Sequence, residues 1–412
     1  MDTSVIAVGT ELLFGQVVNT NAAYLSMQLN HMGFSVMHHH VVGDNPERLE
    51  HVLRSALNVT DLVLLTGGLG PTQDDLTKEI VAKVFGRELY LDEGCLDEIR
   101  QYFESSGRVM SENNVRQAYI PEGAVIFHNE AGTAPAFALC EDGKCAVCFP
   151  GPPREMKWVF EHGAAEYLKQ FIDKQIYYRV IRTIGIGESD LEMMLMPVIR
   201  GQKDPTIATY AKEGECTFRI ASRRDTLAEA KAAVDEMLDE VKNLVGSYIY
   251  SCDDEELNEV VVRRLKEKGL TLSSAESCTA GLFAASVTDV AGASKVFSRG
   301  YITYDEEAKI TMVGVDPRTI DRYSVVSAEV AKEMARGARL EAGSDIAVAI
   351  TGFAGPEADE GREAGESYIG YAYEDTVGAV RVVTGRNDRL WNRNYFRLRM
   401  LKIVYEIIER EF

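Results

Sequence analysis

The stretch that decides the fold of the first part of this chain is Leu62-Val-Leu-Leu-Thr66-Gly67-Gly68-Leu-Gly70-Pro-Thr72-Gln-Asp74-Asp75-Leu-Thr77. Its apolar run, residues 62–65, predicts a strand, and residues 77–84 have the pattern of a helix. The glycine turn between them therefore follows the carboxyl end of a strand, where open α/β sheets bind ligands. Glycines there let backbone N–H groups approach an anionic or heterocyclic ligand without a Cβ clash.

A second segment of the same form lies far along the chain: Ser274-Ala-Glu-Ser277-Cys278-Thr279-Ala-Gly281. Residues 270–274 predict a strand, and residues 278–287 predict a helix that leaves Ser277 near its amino end, beside backbone N–H groups. Two such segments on one chain predict two separate chemistries.

Composition limits the classes of protein to consider. The 412 residues predict two or three domains, each large enough for its own core. The net charge of −20 argues against general affinity for nucleic acid or anionic membrane, so we expect a small-molecule substrate. Seven cysteines without a disulfide-rich module indicate a reduced compartment. The start lacks the pattern of a signal peptide and no run is long enough to span a membrane, so we expect a cytoplasmic protein.

The order of predicted elements divides the chain into three domains, 1–160, 161–252 and 253–412. In the first, strands alternate with helices, which predicts a doubly wound parallel α/β sheet (strands 5–8, 35–39, 61–65 and 146–149; helices 20–31, 46–56, 77–84 and 96–105). After a helix at 164–173, a β-α-β-β-α order predicts a small α+β module (176–184, 189–199, 207–211, 215–221 and 227–245). A solvated link at 251–256 precedes helix 257–268, which opens the third domain.

Several motifs together resemble the CinA family: Gly9-Thr-Glu11, Asn19-Thr-Asn21, Val42-Gly-Asp44, the 66–77 turn, Ile120-Pro-Glu-Gly-Ala124, Gly132-Thr-Ala-Pro135 and Pro150-Gly-Pro-Pro-Arg-Glu-Met-Lys157. The resemblance implies a molybdopterin-binding-like domain, a KH-type linker domain and a C-terminal nicotinamide-nucleotide amidase domain. The sequence departs from the family at Ala136 and Ala280, where glycine is usual, and at 357–363, which is normally richer in glycine and proline.

At the front site, Asp74 and Asp75 could hold a divalent cation that bridges a pyrophosphate, or cap the helix that follows. Asn19 and Asn21 could bind ribose hydroxyls, although Asn19 is equally suited to capping a helix. The resemblance implies that this face binds ADP-ribose and, in active members, hydrolyses it with a metal of unknown identity. The implied nucleotide-binding residues are Gly9, Glu11, Asn19, Asn21, Asp44, Gly67, Gly68, Gly70 and Thr72.

At the rear site, a serine needs a base, and a desolvated lysine can serve as one. From the segment 300–310 the resemblance implies Ser277 as nucleophile, Lys309 as its base and Tyr304 as a phenol that relays or stabilises the proton. Without the resemblance, Ser277 would be read as a helix cap and Lys309 as a solvated residue. The implied substrate-binding residues, which need no cofactor, are Ser294, Cys278, Thr279, Thr351, Gly352, Gly355 and Arg389, with Arg386 or Arg393 as alternatives to Arg389.

Three other features invite interpretation. His38, His39 and His40 are successive residues of a strand and therefore cannot converge on one metal ion. Cys145 and Cys148 have redox-motif spacing, but their place in a strand predicts buried core thiols. Cys278 is a rival nucleophile, since a thiol at the start of a helix can have a lowered pKa.

The resemblance thus predicts a dimeric bifunctional hydrolase of pyridine nucleotides. The C-terminal domain would deamidate nicotinamide mononucleotide (NMN) to nicotinate mononucleotide and ammonia. The N-terminal domain would split ADP-ribose into AMP and ribose 5-phosphate. Two alternatives are an N-terminal domain that only binds a nucleotide or pterin, and an interaction protein of DNA uptake or repair.

Overall fold

A computed structural model describes residues 1–172, 174–212, 214–357 and 362–412. The chain forms two compact units, Met1–Tyr177 with Ser222–Ala232, and Tyr178–Ala221 with Ala233–Phe412. Within the described ranges, no helix is both long and apolar enough to cross a membrane.

The first unit is built on a six-stranded sheet of order β2-β1-β3-β8-β7-β6. The first four strands are parallel, and β7 and β6 add an antiparallel edge. A separate antiparallel pair is formed by β4 and β5. The strands are β1 (Asp2–Val8), β2 (Ser35–Val42), β3 (Leu62–Thr66), β4 (Leu89–Leu91), β5 (Tyr119–Pro121), β6 (Val125–Phe127), β7 (Ala136–Glu141) and β8 (Lys144–Phe149).

Helices cover both faces of this sheet, and each face has its own apolar core. They are α1 (Thr10–Leu13), α2 (Thr20–Met32), α3 (Pro46–Val59), α4 (Thr77–Val84), α5 (Glu93–Ser105), α6 (Pro153–Val159) and α7 (Ala165–Leu168). A π turn, Phe160–Ala164, joins α6 to α7, and 3₁₀ turns span Glu112–Ala118 and Lys169–Phe171. The doubly wound α/β architecture is confirmed. The sequence interpretation missed β4 to β7, because strands of three to six residues give little periodicity.

Strand order places the front site. From β1 the chain crosses to β2 on one side and then to β3 on the other, so the winding reverses between β1 and β3. The crevice at the carboxyl ends of two such strands is where doubly wound sheets bind ligands. Gly9 follows β1 and Gly67 follows β3 at that edge.

The middle of the chain forms a four-stranded sheet of order β10-β11-β9-β12, with β10 and β11 antiparallel, and β9 and β12 antiparallel. Its elements are β9 (Gln175–Ile184), α8 (Glu188–Ile199), β10 (Thr206–Lys212), β11 (Glu215–Arg224), α9 (Leu227–Val245), a 3₁₀ turn (Gly246–Tyr248) and β12 (Ile249–Ser251). The predicted β-α-β-β-α order is confirmed, and β12 completes the sheet. The predicted helix 164–173 ends at Phe171, and Asp173 lies outside the described residues.

The last part of the chain forms a five-stranded sheet of order β14-β13-β15-β16-β17. The first three strands are parallel to one another, β16 is antiparallel to β15, and β17 is antiparallel to β16. Its elements are α10 (Leu257–Lys268), β13 (Leu272–Glu276), α11 (Leu282–Thr288), a 3₁₀ turn (Ala293–Lys295), β14 (Phe297–Ile302), α12 (Glu306–Val313), α13 (Pro317–Tyr323), α14 (Ala328–Ala342), β15 (Ile346–Gly352), β16 (Glu366–Tyr373), β17 (Thr376–Val383) and α15 (Arg389–Glu411).

This sheet also reverses its winding, because β14 and β15 lie on opposite sides of β13. One face packs on α10, α11 and α15, and the other on α14. Ser277 follows β13, and Thr351 with Gly352 ends β15, so both segments reach the same edge at the reversal. A hydrogen bond from Ser277 N–H to the carbonyl of Ile350 (3.1 Å) joins them.

Candidate active sites

The rear site centres on Ser277 and Lys309. The Lys309 Nζ lies 3.2 Å from the Ser277 Oγ, although the two residues are 32 positions apart. Ser277 is placed by the end of β13. Lys309 is placed by α12, whose start is capped by Asp305 accepting the Ala308 N–H at 2.7 Å. The expected nucleophile and base are therefore within reach of each other.

Lys309 is buried, with 1% of its surface exposed. Its Nζ donates to three backbone carbonyls, those of Thr303 at 2.9 Å, Tyr304 at 3.2 Å and Asp305 at 3.2 Å. The carbonyls favour the ammonium, but burial disfavours it more strongly and lowers the pKa of Lys309 below 10.5. A lowered pKa increases the fraction of neutral amine, which is the form that can accept a proton from serine.

The turn after Ser277 differs from the expectation. The helix predicted from 278 begins only at Leu282, so Ser277 does not lie in its first turn. Ala280 and Gly281 have φ values of 49° and 92°, and two left-handed residues in succession cannot be part of an α-helix. Within the described part of the chain, the N–H groups of Cys278 and Thr279 make no hydrogen bond to another residue. They are candidates to bind an oxyanion formed beside Ser277.

Glu276 fills the place at the start of α11 that was expected for Ser277. Its carboxylate is 1% exposed and accepts the N–H groups of Gly281 at 3.1 Å, Phe283 at 3.0 Å and Ala284 at 2.9 Å. The sequence interpretation gave Glu276 no role. Its contacts depend on the left-handed turn, and no pattern of side chains in the segment indicates that turn.

The phenol of Tyr304 is placed differently from the expected relay. Its ring is 59% exposed, and its hydroxyl accepts a hydrogen bond from Arg389 at 3.2 Å. The backbone carbonyl of Tyr304, in contrast, lies 3.2 Å from the Lys309 Nζ and accepts from the Ser277 hydroxyl at 3.4 Å. In this structure it is the main chain of Tyr304 that contacts both reacting groups.

The arginines have distinct positions. Arg389, at the start of α15, donates to the Gly355 carbonyl at 2.9 Å and to the Tyr304 hydroxyl at 3.2 Å, so it links these two segments. Arg393 donates to the Thr279 carbonyl at 2.8 Å. Arg386 lies over the ring of Trp391, 4.0 Å from its centroid. Arg389 is the one whose guanidinium meets both the 304 and 355 segments.

The remaining substrate-binding residues divide into two groups. Thr351 and Gly352 lie at the same edge as Ser277, and the Thr351 hydroxyl donates to the Val325 carbonyl at 2.9 Å. Thr279 is fully buried, and within the described residues its hydroxyl has no partner. Ser294 lies three residues before β14, whose first residue, Phe297, pairs with Leu272 of the parallel strand β13. Leu272 is about five residues, or roughly 17 Å, before Ser277 along the strand, so Ser294 lies at the opposite edge of the sheet. Within one chain, Ser294 is not brought to Ser277.

Cys278 is also buried, with 5% exposure. Burial raises the pKa of its thiol to about 12, with Glu276 adding to the increase. The expected lowering at a helix start does not occur, because the helix begins four residues later. A thiol with so high a pKa is a poor nucleophile near neutral pH.

The front site is organised by the glycine turn. Gly67 and Gly68 have φ values of 105° and 69°, and a Cβ on Gly67 would lie 2.1 Å from the Val8 carbonyl oxygen. The turn is fixed to α4 by Thr77, whose hydroxyl donates to the Gly67 carbonyl at 2.7 Å. Glycine is therefore required for the close approach of the β3 and β1 ends. Gly70 packs on the Asp75 carboxylate, which lies 2.5 Å from an ideal Cβ position.

A cavity of about 100 Å³ lies at the β1–β3 crevice and is lined by Val8, Glu11, Asn19, Asn21, Thr66 and Gly151, among others. Asn19 caps α2 by accepting the Ala22 N–H at 3.1 Å. Asn21 is buried and donates to Thr66 Oγ1 at 2.9 Å and to the Gly151 carbonyl at 2.7 Å. Its Oδ1 has no partner within the described residues, which leaves an acceptor beside the cavity.

Gly9 and Asp44 have local roles at the same edge. A Cβ on Gly9 would lie 2.5 Å from the Glu11 carboxylate. Asp44 accepts the backbone N–H of Thr10 at 2.9 Å and its hydroxyl at 2.8 Å. Asp44 thus fixes the start of α1 to the end of β2.

Asp74 and Asp75 converge on one atom. Both carboxylates contact the Thr72 hydroxyl, that of Asp75 at 2.5 Å, and Asp75 also accepts the Thr72 N–H at 2.9 Å. Neither side chain caps α4 in this structure. Across the described residues, no group of three or more His, Cys, Asp or Glu could hold a metal. Two adjacent carboxylates fit a cation such as Mg²⁺, which keeps several waters and takes other ligands from substrate phosphates.

Comparison with known proteins shows to which family the chain belongs. Three family models match in succession: "Probable molybdopterin binding domain" over residues 4–170, "Damage-inducible protein CinA KH domain" over 178–251 and "CinA C-terminal domain" over 254–408. A "CinA-like protein" of Dictyoglomus turgidum is 46% identical over 357 residues, which is 87% of each chain. This chain belongs to the CinA family.

Another CinA-like protein, of Kosmotoga olearia, is 42% identical over 96% of each chain. The crystal structure of the CinA protein of Thermoplasma acidophilum is 37% identical and covers 41% of this chain and 99% of its own, with a TM-score of 0.38. The three family matches confirm the predicted architecture of a molybdopterin-binding-like α/β domain, a KH domain and a C-terminal α/β domain.

The departures from the CinA pattern have different consequences. Ala136 is the first residue of β7 and is fully buried in extended backbone, where glycine is not required. Ala280 occupies a left-handed position, which costs a residue other than glycine about 1–2 kcal/mol. The third departure spans residues 357–363, of which residues 358–361 lie outside the described residues.

The cysteine prediction was partly wrong. Cys148 is a buried free thiol as expected, but Cys145 forms a disulfide with Cys140, unlike the reduced state inferred from composition. The two are directly opposed on the antiparallel β7–β8 ladder, and β7 had not been predicted. The three histidines lie on β2 as expected, where His38 and His40 share one face and His39 contacts Ser26 at 2.6 Å.

Proposed function

We propose that the C-terminal site of this CinA protein hydrolyses the carboxamide of NMN through a serine acyl-enzyme. The observation that carries the proposal is the buried Lys309 amine, 3.2 Å from the Ser277 hydroxyl at the reversal point of the sheet. A neutral lysine beside a serine is an activated pair for acyl transfer.

The steps follow from the contacts. The Ser277 Oγ attacks the carboxamide carbon while Lys309 takes its proton, and the N–H groups of Cys278 and Thr279 bind the oxyanion. The C–N bond then breaks, and Lys309 returns the proton to the leaving ammonia. Water attacks the resulting ester with Lys309 again as base, which gives the carboxylate and free Ser277.

Phosphate recognition is assigned to Arg389 in this proposal. Its guanidinium lies between the 304 and 355 segments, and a planar guanidinium binds phosphate oxygens in pairs. The net charge of the chain is −20, so the positive charge of Arg389 is a local feature and not a property of the whole surface.

The test is ammonia release from NMN by the purified chain, with Ser277→Ala as the decisive variant. Loss of a triad-type nucleophile lowers kcat by a factor on the order of 10⁶. Ser298→Ala, at an exposed position of β14, is the matched control and should keep the full rate. Ammonia release by Ser277→Ala at more than a few per cent of the natural rate would rule out the serine mechanism.

For the N-terminal domain we propose metal-dependent hydrolysis of ADP-ribose to AMP and ribose 5-phosphate. The support is the glycine turn, the cavity with the Asn21 acceptor, and the convergence of Asp74 and Asp75. A bound divalent cation would supply positive charge to the pyrophosphate oxygens. Asp74 and Asp75 would hold it, and the glycine turn would orient the phosphates through backbone N–H groups.

Product analysis of the chain with ADP-ribose separates this proposal from its alternatives. Binding without turnover would favour a regulatory nucleotide- or pterin-binding domain. Salt-dependent binding of duplex DNA would favour an interaction protein of DNA uptake or repair.

A further inference from the structure

Glu276 has no assigned role in the proposed reaction, yet it connects the end of β13 to the 281–284 segment and to the loop that begins at Thr303. Its carboxylate binds the N–H groups of residues 281, 283 and 284, which fixes the far end of the turn that begins at Ser277. Its backbone carbonyl accepts the Thr303 N–H at 2.8 Å. Thr303 begins the loop whose carbonyls surround the Lys309 amine.

The carboxylate is directed away from the reacting atoms. Along β13, the side chains of Leu272, Ser274 and Glu276 share one face, and Leu272 packs in the core with α10, α11 and α15. The Ser274 hydroxyl donates to the Glu276 carboxylate at 3.4 Å on that face. Ser277 is the next residue and leaves the strand toward Lys309. Glu276 thus acts on the turn and not on a substrate.

The turn needs such a restraint. Ala280 and Gly281 are both left-handed, and alanine is strained in that conformation. An alternative path, in which the chain continues as a helix from residue 278, would relieve the strain but move the Cys278 and Thr279 N–H groups. The three bonds to Glu276 are available only to the observed path, because they need the N–H groups of Gly281, Phe283 and Ala284 to converge on one buried carboxylate.

We propose that Glu276 is a positioning residue, whose buried carboxylate holds the strained 277–281 turn so that Ser277 meets Lys309 and the Cys278 and Thr279 N–H groups face the reacting carbonyl. The inference rests on the proposed amidase function and adds a residue to it. It assigns a specific effect, on kcat more than on substrate binding, because the three bonds of Glu276 hold the turn, whereas Arg389 is held by the Gly355 carbonyl and the Tyr304 hydroxyl.

The experiment compares Glu276→Gln with the natural chain and with Glu341→Gln, an exposed control at the end of α14. We expect kcat for ammonia release to fall about 10- to 100-fold with KM within about threefold, the range typical of small displacements of a catalytic group. Hydrogen exchange of the 277–284 amides, measured without substrate, should become faster. A Glu276→Gln protein that is folded and keeps kcat within twofold would overturn the proposal.

A second substitution separates positioning from general stability. Ala280→Gly removes the left-handed strain, so in the Glu276→Gln background it should slow exchange of the turn about fivefold and recover part of kcat. If Glu276→Gln does not fold, Ala280→Val tests the same turn. It should lower kcat with KM unchanged, and an unchanged kcat would count against the proposal. If the natural chain releases no ammonia, the proposed function fails, whereas the exchange measurement still tests the restraint of the turn.

Discussion

Replacing Lys309 with methionine tests the proposed base most directly. Methionine matches the length and apolar stem of lysine but cannot accept a proton. Among the residues that the structure describes, the Ser277 Oγ has two hydrogen-bond partners, the Lys309 Nζ at 3.2 Å and the Tyr304 carbonyl at 3.4 Å. Since a carbonyl does not act as a base, no neighbour substitutes for the amine. A positioned base contributes about 10²–10⁴ in rate, so kcat should fall by that factor, or about 3–5 kcal/mol in barrier height.

The lowered pKa of Lys309 predicts how the deamidation rate and the stability of the natural chain change with pH. Burial lowers the pKa of Lys309, and only the neutral amine serves as base. The rate should therefore rise with pH and level off below pH 10.5, the ordinary lysine value. The lowered pKa also affects stability, because the unfolded chain binds the Lys309 proton more tightly than the folded chain does. The contribution of Lys309 to the free energy of unfolding should therefore increase with pH between the lowered pKa and 10.5.

The assay is ammonia release from NMN across this pH range, with Lys295→Met as control, because Lys295 is exposed near the opposite edge of the sheet. The control should keep both the rate and the pH profile. The reasoning is refuted if folded Lys309→Met retains more than a tenth of kcat, or if its remaining activity keeps the pH profile of the natural chain.

Three further predictions concern the other proposed residues. With a pKa of about 12, Cys278 has a thiolate fraction of about 10⁻⁵ at pH 7. Its alkylation by iodoacetamide in the folded chain should therefore be about 1,000-fold slower than that of free cysteine. Rapid labelling with loss of amidase activity would instead support Cys278 as the nucleophile. Arg389→Ala should raise the KM for NMN with a smaller change in kcat, because phosphate binding persists into the transition state; an effect seen only in Arg386→Ala would reassign that contact. Asp74→Asn combined with Asp75→Asn, or a chelator, should stop ADP-ribose cleavage and leave NMN deamidation unchanged. Ammonia release that depended on metal would contradict the proposal that the two sites act independently.

Local patterns in the sequence determined the layers of the fold. Apolar runs and amphipathic periods predicted β1, β3 and β8 and the helices between them, since these elements bury continuous faces. Asparagine marked one helix start, at Asn19. Such signals are contained within a few residues, so they can be read without knowing the rest of the chain.

The tertiary structure alone decided how the rear site is assembled. Ser277 and Lys309 are brought together by parallel pairing of strands that are distant in sequence, and Ser294 is carried to the other edge by that same pairing. The burial that lowers the pKa of Lys309 comes from surrounding elements, and an isolated lysine gives no sign of it. The role of Glu276 depends on the left-handed backbone at residues 280 and 281, where the sequence carries alanine in place of the glycine that would indicate it. Backbone conformation and long-range contact are properties of the folded chain, and the residue types of a short segment do not contain them.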